Sequence, residues 1–238
     1  MKSRFVYGVN PVLEALRAHP HDVVRVLVER GKAERVSRAA AEAGVRVDEV
    51  QHAELTQRAR GGVHQGVGAE VTEFRYAELE EILEAASGPA FLLLLDGVTD
   101  PQNLGALVRS AHALGAQGVV VPKDRAAGVT PAVFKAAAGA LEHVRLARVT
   151  NLSRALEQLK QAGVWTVALA GDGEKELREI DLTVPTAIVL GSEGAGVRPL
   201  VRKTCDHVAR IPMLGKVASL NVAAAGAIAL YEVARQRS

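Results

Sequence analysis

Beyond residue 90 the chain alternates between short, unbroken apolar runs and stretches in which apolar residues recur every three or four positions. FLLLLD (91–96) and GVVVP (118–122) are continuous, apolar and bounded by Asp, Gly or Pro, the pattern of strands buried on both faces. Between them Leu104, Leu107, Val108, Ala111 and Leu114 follow helical spacing, and Gly115 supplies a stop. The result is a βαβ unit. Further strands are predicted over 144–149, 164–170, 187–190 and 208–211, with helices over 152–161 and 220–235. This alternation predicts an α/β domain, a mainly parallel sheet with helices on both faces.

The first 75 residues have shorter runs mixed with charge. Asn10-Pro11 opens a helix to residue 18, a β-branched strand covers 23–28, an Ala- and Arg-rich helix spans 33–43 and ends at Gly44, and a strand follows at 45–50. A short helix over 53–59 and a returning strand in GGVHQGVGAEV (61–71) complete a small layered α/β domain. The charged helical pattern over 72–88, ending in Ser-Gly-Pro, suits a connection. The expected organisation is a small domain at 1–75, a linker at 76–89 and a larger domain at 90–238.

Composition narrows the class. The 238 residues are 48% hydrophobic and 24% charged, as in an ordinary globular protein. The apolar stretches at 89–95 and 222–231 fall short of the roughly 20 residues that cross a bilayer. The N-terminus reaches Gly8 and Asn10-Pro11 before any signal-peptide core forms, so a cytoplasmic location is expected. Cys205 is the single cysteine, which removes intramolecular disulfides; it is expected to pack as a small apolar residue. The seven histidines lack metal-ligand spacing, and no metal is expected.

Net charge is only +2, and residues 1–75 hold 12 Lys and Arg against 10 Asp and Glu. The cations are nevertheless clustered. Arg25, Arg30, Lys32, Arg35 and Arg38 lie within fourteen residues, and Arg58, Arg60 and His64 flank Gly61-Gly62. Clustering favours phosphate binding, so Arg30, Lys32, Arg35, Arg38, Arg60 and His64 are candidate RNA contacts. Interleaved Glu29, Glu34 and Glu42 support an equally simple reading, a solvated helix face.

Three stretches concentrate glycines and isolated polar residues at the ends of apolar runs: DGVTDPQNLGALVRSA (96–111), IVLGSEGAGV (188–197) and IPMLGKVASLNVAAAGAI (211–228). Such loops let backbone approach a ligand while the strands fix their position. No Gly-rich fingerprint follows the first strand of the larger domain, which weakens conventional dinucleotide binding. On residues alone, Asn103 reads as a helix cap, Arg109 as a surface or phosphate-pairing residue, and Ser219 or Asn221 as the cap of the last helix.

The patterns D-x-V-x-D-P-x-N-x-G-x-x-x-R-S-A, L-G-S-E-G-x-G and I-P-M-x-G-x-x-x-S-L-N-V-A resemble the three motifs of the SpoU branch of the SPOUT RNA methyltransferases. YGVNPVLEAL (7–16) and HQGV (64–67) resemble the substrate-binding domain of the RlmB-type ribosomal RNA enzymes, which the shorter TrmH type lacks. The resemblance implies a C-terminal trefoil knot, S-adenosylmethionine as cofactor, a homodimer, and methyl transfer to a ribose 2′-hydroxyl, of guanosine in 23S rRNA. It assigns catalysis to Asn103, Arg109, Glu193, Ser219 and Asn221, and cofactor contacts to Leu190, Gly191, Ile211, Met213 and Leu220. Glu193 is expected to pair with Asn103 or Arg109. Alternatives are a tRNA or another rRNA nucleotide as substrate, or an RNA-binding protein without catalysis.

Overall fold

VVRVLVE and VGAEVT place Val on alternate positions, and these two segments form the centre of the first sheet. The computed structural model describes residues 3–18, 20–72 and 74–238, and the chain divides into two units, Met1–Arg75 and Tyr76–Ser238. The first contains β1 (Ser3–Tyr7), α1 (Val9–Ala18), β2 (Val23–Glu29), α2 (Glu34–Glu42), β3 (Val47–Val50), α3 (His52–Arg58) and β4 (Val67–Thr72). Its sheet runs β1-β4-β2-β3, with β4 antiparallel to both neighbours and β2 parallel to β3.

Strand β1 does not stand out in the sequence. It is five residues long, lies at the sheet edge and is only partly buried, so SRFVY lacks the apolar run of an interior strand. On one face Val12, Leu13 and Leu16 of α1 and Val36 and Ala40 of α2 pack on Val26, Val28, Val67 and Ala69. Alternation turns Leu27 to the other face, where Leu55 of α3 is likewise fully buried.

Arg25 crosses this sheet as an electrostatic tie. Its Nε and Nη2 donate to the two Glu70 carboxylate oxygens at 2.9 and 2.8 Å, and its Nη1 reaches Asp48 at 3.0 Å. Arg58 donates to Glu70 as well. Arg25 first, then Arg58, holds the Glu70 carboxyl below its ordinary range, while Arg46 and Arg25 do the same for Asp48.

The second unit contains α4 (Leu79–Glu84), β5 (Phe91–Asp96), α5 (Pro101–Ala113), β6 (Gly118–Pro122), α6 (Pro131–Ala137), β7 (Arg145–Val149) and α7 (Leu152–Gln161). It continues with β8 (Trp165–Leu169), β9 (Lys175–Glu176), β10 (Thr186–Gly191), α8 (Pro199–Thr204), β11 (His207–Arg210) and α9 (Val222–Gln236). Its seven-stranded sheet has the order β7-β6-β5-β10-β8-β11-β9, with every strand pair parallel. Leu92, Leu94, Val120, Ala187 and Val189 face α4, α7 and α8 in one core. Helices α5 and α9 cover the opposite face, where Gly226 of α9 sits against Leu107 and Leu190 so closely that a Cβ would lie 2.2 Å from Leu107 Cδ2.

Residues 76–89 are built into this second unit. Leu79 and Ile82, one helical turn apart on α4, are buried in its core, and the Ala77 N–H donates to Leu146 O at 2.9 Å. The abundant Glu of this helix masks its two-residue apolar face. Helices α6 and α8 also escape the sequence reading; each is short and starts with Pro.

The Arg25 tie makes the first unit acid-sensitive. Because the folded-state values of Glu70 and Asp48 are depressed, the stabilisation is complete above the unfolded carboxylate value of about 4 and is lost as pH falls through the folded values. Amide protection in β2 and β4, corrected for the intrinsic slowing of exchange in acid, should therefore fall as pH drops below about 4, and Glu70→Gln should remove most of that dependence. An unaltered acid profile in the variant would contradict the assignment.

Candidate active site

The buried run of β5 ends in a carboxylate. The Asp96 side chain is 0% exposed and accepts from the Arg198 backbone N–H (2.8 Å) and guanidinium Nε (2.7 Å) and Nη2 (2.6 Å). A carboxylate is retained at such a position only when charge-assisted bonds offset its desolvation. The tie fixes the far end of the loop that leaves β10. The near end is fixed by backbone packing, because a Cβ on Gly191 would lie 1.9 Å from Gly196 C. Ser192 and Gly196 exchange backbone bonds of 3.1 and 2.9 Å, and Gly194 and Gly196 turn the loop at φ +81° and +68°.

Glu193 projects from this tight loop. Its Oε1 accepts from Asn221 Nδ2 at 2.6 Å, Asn103 Nδ2 at 3.4 Å and the Val222 N–H at 3.5 Å, and Asn221 Nδ2 also donates to Asn103 Oδ1 at 3.0 Å. One carboxylate thus joins the three motif stretches. Asn221 caps α9, its Oδ1 accepting from Ala223 N at 2.9 Å and Ala224 N at 3.4 Å, and this fixes the amide so that Nδ2 faces Glu193.

The cap of α5 is Asp100, which accepts from the Gln102 and Asn103 N–H groups at 3.3 and 3.1 Å. Asn103 is therefore in the first turn and not the cap, because Pro101 occupies the first helical position and shifts the start three residues earlier. Its amide is free to face Glu193. Arg109 lies two turns further along α5, exposed and without a hydrogen-bond or ion-pair partner among the described residues; it does not pair with Glu193. Ser219 lies in the exposed stretch before Asn221, beside the cluster.

Next to Glu193 a cavity of about 700 Å³ opens at the C-terminal ends of β8, β10 and β11. Leu190, Gly191, Ile211, Met213 and Leu220 all line it, with Glu193, Ser219 and Asn221 at the same cavity, and Leu169, Ala170 and Gly171 add a wall that the sequence did not signal. Apolar side chains and accessible loop backbone suit a flat heterocycle recognised on its edges. The position obeys the rule that open α/β sheets bind ligands beyond the strands' carboxyl ends. Cys205 lies elsewhere, half-buried at the second unit's core; burial pushes its thiol up to about 12, so it stays protonated and inert. No group of three or more His, Cys, Asp or Glu placed to hold a metal occurs among the described residues.

In the first unit the cationic candidates separate. Arg35 and Arg38 are exposed on α2 without partners among the described residues, Arg60 is exposed at φ +51°, and Arg30 is 91% exposed with Glu49 at 3.8 Å. Lys32 pairs with Glu29 at 2.8 Å. His64 is 5% exposed, and its Nδ1 accepts from the Gly66 N–H at 3.1 Å. That leaves Nε2 to donate to Thr56 Oγ1, 3.1 Å away, whose own proton goes to His52 O. His64 is a neutral structural residue turned inward, not part of an RNA-facing surface.

Removing the Asp96 carboxylate frees the loop that carries Glu193. Asp96→Ala should weaken ligand binding in the cavity at least tenfold, as expected when a buried charged partner worth about 1.5–3 kcal/mol is lost, with the change read by calorimetric titration. Unaltered affinity would show that the loop holds its shape without the tie.

The SpoU rRNA Methylase family model matches residues 90–231, and the model for RNA 2′-O ribose methyltransferase substrate binding matches residues 5–77. The chain is 46% identical over 240 residues to the 23S rRNA (guanosine-2′-O-)-methyltransferase RlmB of Pseudomonas syringae, covering 98% of this chain and 96% of the relative. Identity to RlmB of Coxiella burnetii is 45% over 243 residues, covering 99% and 97%. The SpoU methyltransferase AviRb from Streptomyces viridochromogenes, solved with AdoMet, has a TM-score of 0.72 at 27% identity and covers 99% of this chain and 90% of that one. The matched region contains the cavity and the whole Asn103–Glu193–Asn221 cluster: the chain belongs to the SpoU rRNA methylase family.

Proposed function

We propose that this protein transfers a methyl group from S-adenosylmethionine to the ribose 2′-hydroxyl of a guanosine in 23S rRNA. The observation that carries the reading is the Glu193 carboxylate, which joins Asn103 and Asn221 at the mouth of an apolar cavity large enough for a nucleoside. Identity to the RlmB enzymes supports guanosine and 23S rRNA as the target.

Bound in the cavity, S-adenosylmethionine would supply an electrophilic methyl group, its sulfur leaving as a neutral thioether. Leu190, Ile211 and Leu220 would hold its adenosine against apolar surfaces, with loop N–H and C=O groups placed to bond its edges. Asn103, Ser219 and Asn221 orient the ribose, and Glu193 keeps both amides aimed. Arg109 stabilises the developing alkoxide as its methyl-oxygen bond forms. A guanidinium does not give up its proton at neutral pH, so its contribution is electrostatic and an RNA phosphate takes the hydroxyl proton.

Arg109 is remote from the cluster's hydrogen bonds within one chain, which supports a homodimer as the working form. Exposed Ile228 and Tyr231 on α9 offer an apolar face for it. The insertion of β10 between β5 and β8, strands that both precede it, supports a trefoil-knotted C-terminal region. Residues 1–75 serve as the RNA-binding domain, with Arg30, Arg35, Arg38 and Arg60 as its phosphate contacts, and the cytoplasm, where rRNA is made in bacteria such as the relatives' hosts, is the place of action.

The test is methyl transfer from labelled S-adenosylmethionine to 23S rRNA, followed by mapping of the modified nucleotide; no incorporation would overturn the proposal. Arg109→Ala should lower kcat by roughly 10²–10³-fold, the range for a lost charge-stabilising group, while cofactor affinity stays within about twofold. A near-normal rate would remove Arg109 from the mechanism. Replacing Arg35 and Arg38 together with Gln should flatten the log–log salt dependence of RNA binding by about 1.5, and an unchanged slope would return them to the solvated face.

A further inference from the structure

The loop that leaves β6 carries Lys123, Asp124 and Arg125, all exposed, and none belongs to the three motifs or to the first unit. It is pinned at several points. The Lys123 N–H donates to Val149 O at 2.7 Å, Arg148 Nη2 donates to Lys123 O at 2.9 Å, the Ala127 N–H donates to Val98 O at 2.9 Å, and the Val129 N–H donates to Tyr76 Oη at 3.0 Å. Arg148 also lies 5.4 Å over the Tyr76 ring, which holds its exposed guanidinium beside Lys123. Arg125 adopts φ +59°, a left-handed conformation that is strained for a non-glycine residue.

The pinned loop borders the active site. A Cβ built on Gly97 would lie 3.4 Å from Ser192 Cβ, next to Glu193, and 4.0 Å from Arg125 O. Neither the Lys123 ammonium nor the Arg125 guanidinium has a protein partner among the described residues, and with Arg148 they outnumber the single carboxylate of Asp124. Unpaired cations carried on a backbone-pinned turn are placed for an anion that arrives from outside. A polymer whose ribose enters the Asn103–Glu193–Asn221 cluster brings such anions at regular spacing on either side.

We propose that Lys123 and Arg125 bind the phosphate backbone of the RNA beside the nucleotide being methylated, as a second contact separate from the first unit's cations. Arg148 completes the surface. This rests on the methyl-transfer reading for the placement of the ribose, but not for the binding itself.

Equilibrium binding of protein-free 23S rRNA to the full-length protein separates the two. Lys123→Gln with Arg125→Gln should raise Kd about fivefold or more and make the log–log salt slope shallower by about 1.5, since each phosphate contact contributes roughly 0.7–0.9. Cofactor affinity and melting temperature should match the wild type, and Lys203→Gln, an exposed cation at the end of α8, should leave Kd and slope unchanged. Equal Kd and slope in the double variant would overturn the proposal. So would a shift in oligomeric state measured by sedimentation, which would make this loop a contact between copies. Methylation of 23S rRNA by the wild type is scored alongside: its absence counts against the methyl-transfer reading, whereas the binding comparison decides the loop.

Discussion

The buried ion pair between Asp96 and Arg198 sets the geometry on which the active site depends. Asp96 terminates one central strand and Arg198 ends the loop that follows its neighbour, so a single charge-assisted clamp spans the switch point of the sheet. Without it, Glu193 would ride on a glycine-rich loop with little side-chain packing. With it, Glu193 becomes a fixed acceptor around which Asn103 and Asn221 orient. The same residue types at the ends of mobile loops would spend binding energy on ordering themselves.

The two units use charge differently. In the first, several carboxylates are committed to cations: Glu70 and Asp48 hold Arg25, and Glu29 holds Lys32. Arg35, Arg38 and Arg60 stay exposed and unpaired among the described residues, with Glu34 and Glu42 exposed beside them on α2. In the second, charge is sparse near the cavity, and apolar walls with exposed backbone do the recognition. A nearly neutral total is thus compatible with a local cluster of unpaired cations at Arg35, Arg38 and Arg60.

Much of the second unit could be read from the chain alone, because buried parallel strands are continuous apolar runs and the intervening helices keep their spacing. The five residues that the resemblance assigns to the cofactor lie together along the cavity. Other features were hidden for identifiable reasons. Asp96 read as the end of a strand, and its partner lies 102 residues away, beyond any local pattern. Asp100 and Asn103 are both good caps, and only the position of Pro101 decides between them. His64 sits among cations and glycines in sequence, yet its ring is turned inward to satisfy Thr56 and Gly66. The β6 loop carries no local pattern that would reveal its tie to the motif-one loop, which runs between the Ala127 N–H and Val98 O.

The place of β10 in the sheet has a temporal consequence. Its two neighbours, β5 and β8, are both made before it, and the cavity at the ends of β8 and β10 also needs the segment after β11 and the start of α9. During synthesis, therefore, the first unit and half of the second sheet can assemble while the ligand pocket does not yet exist. The pocket is thus completed late in the order of the strands, and nothing can be held in it until the start of α9 is in place.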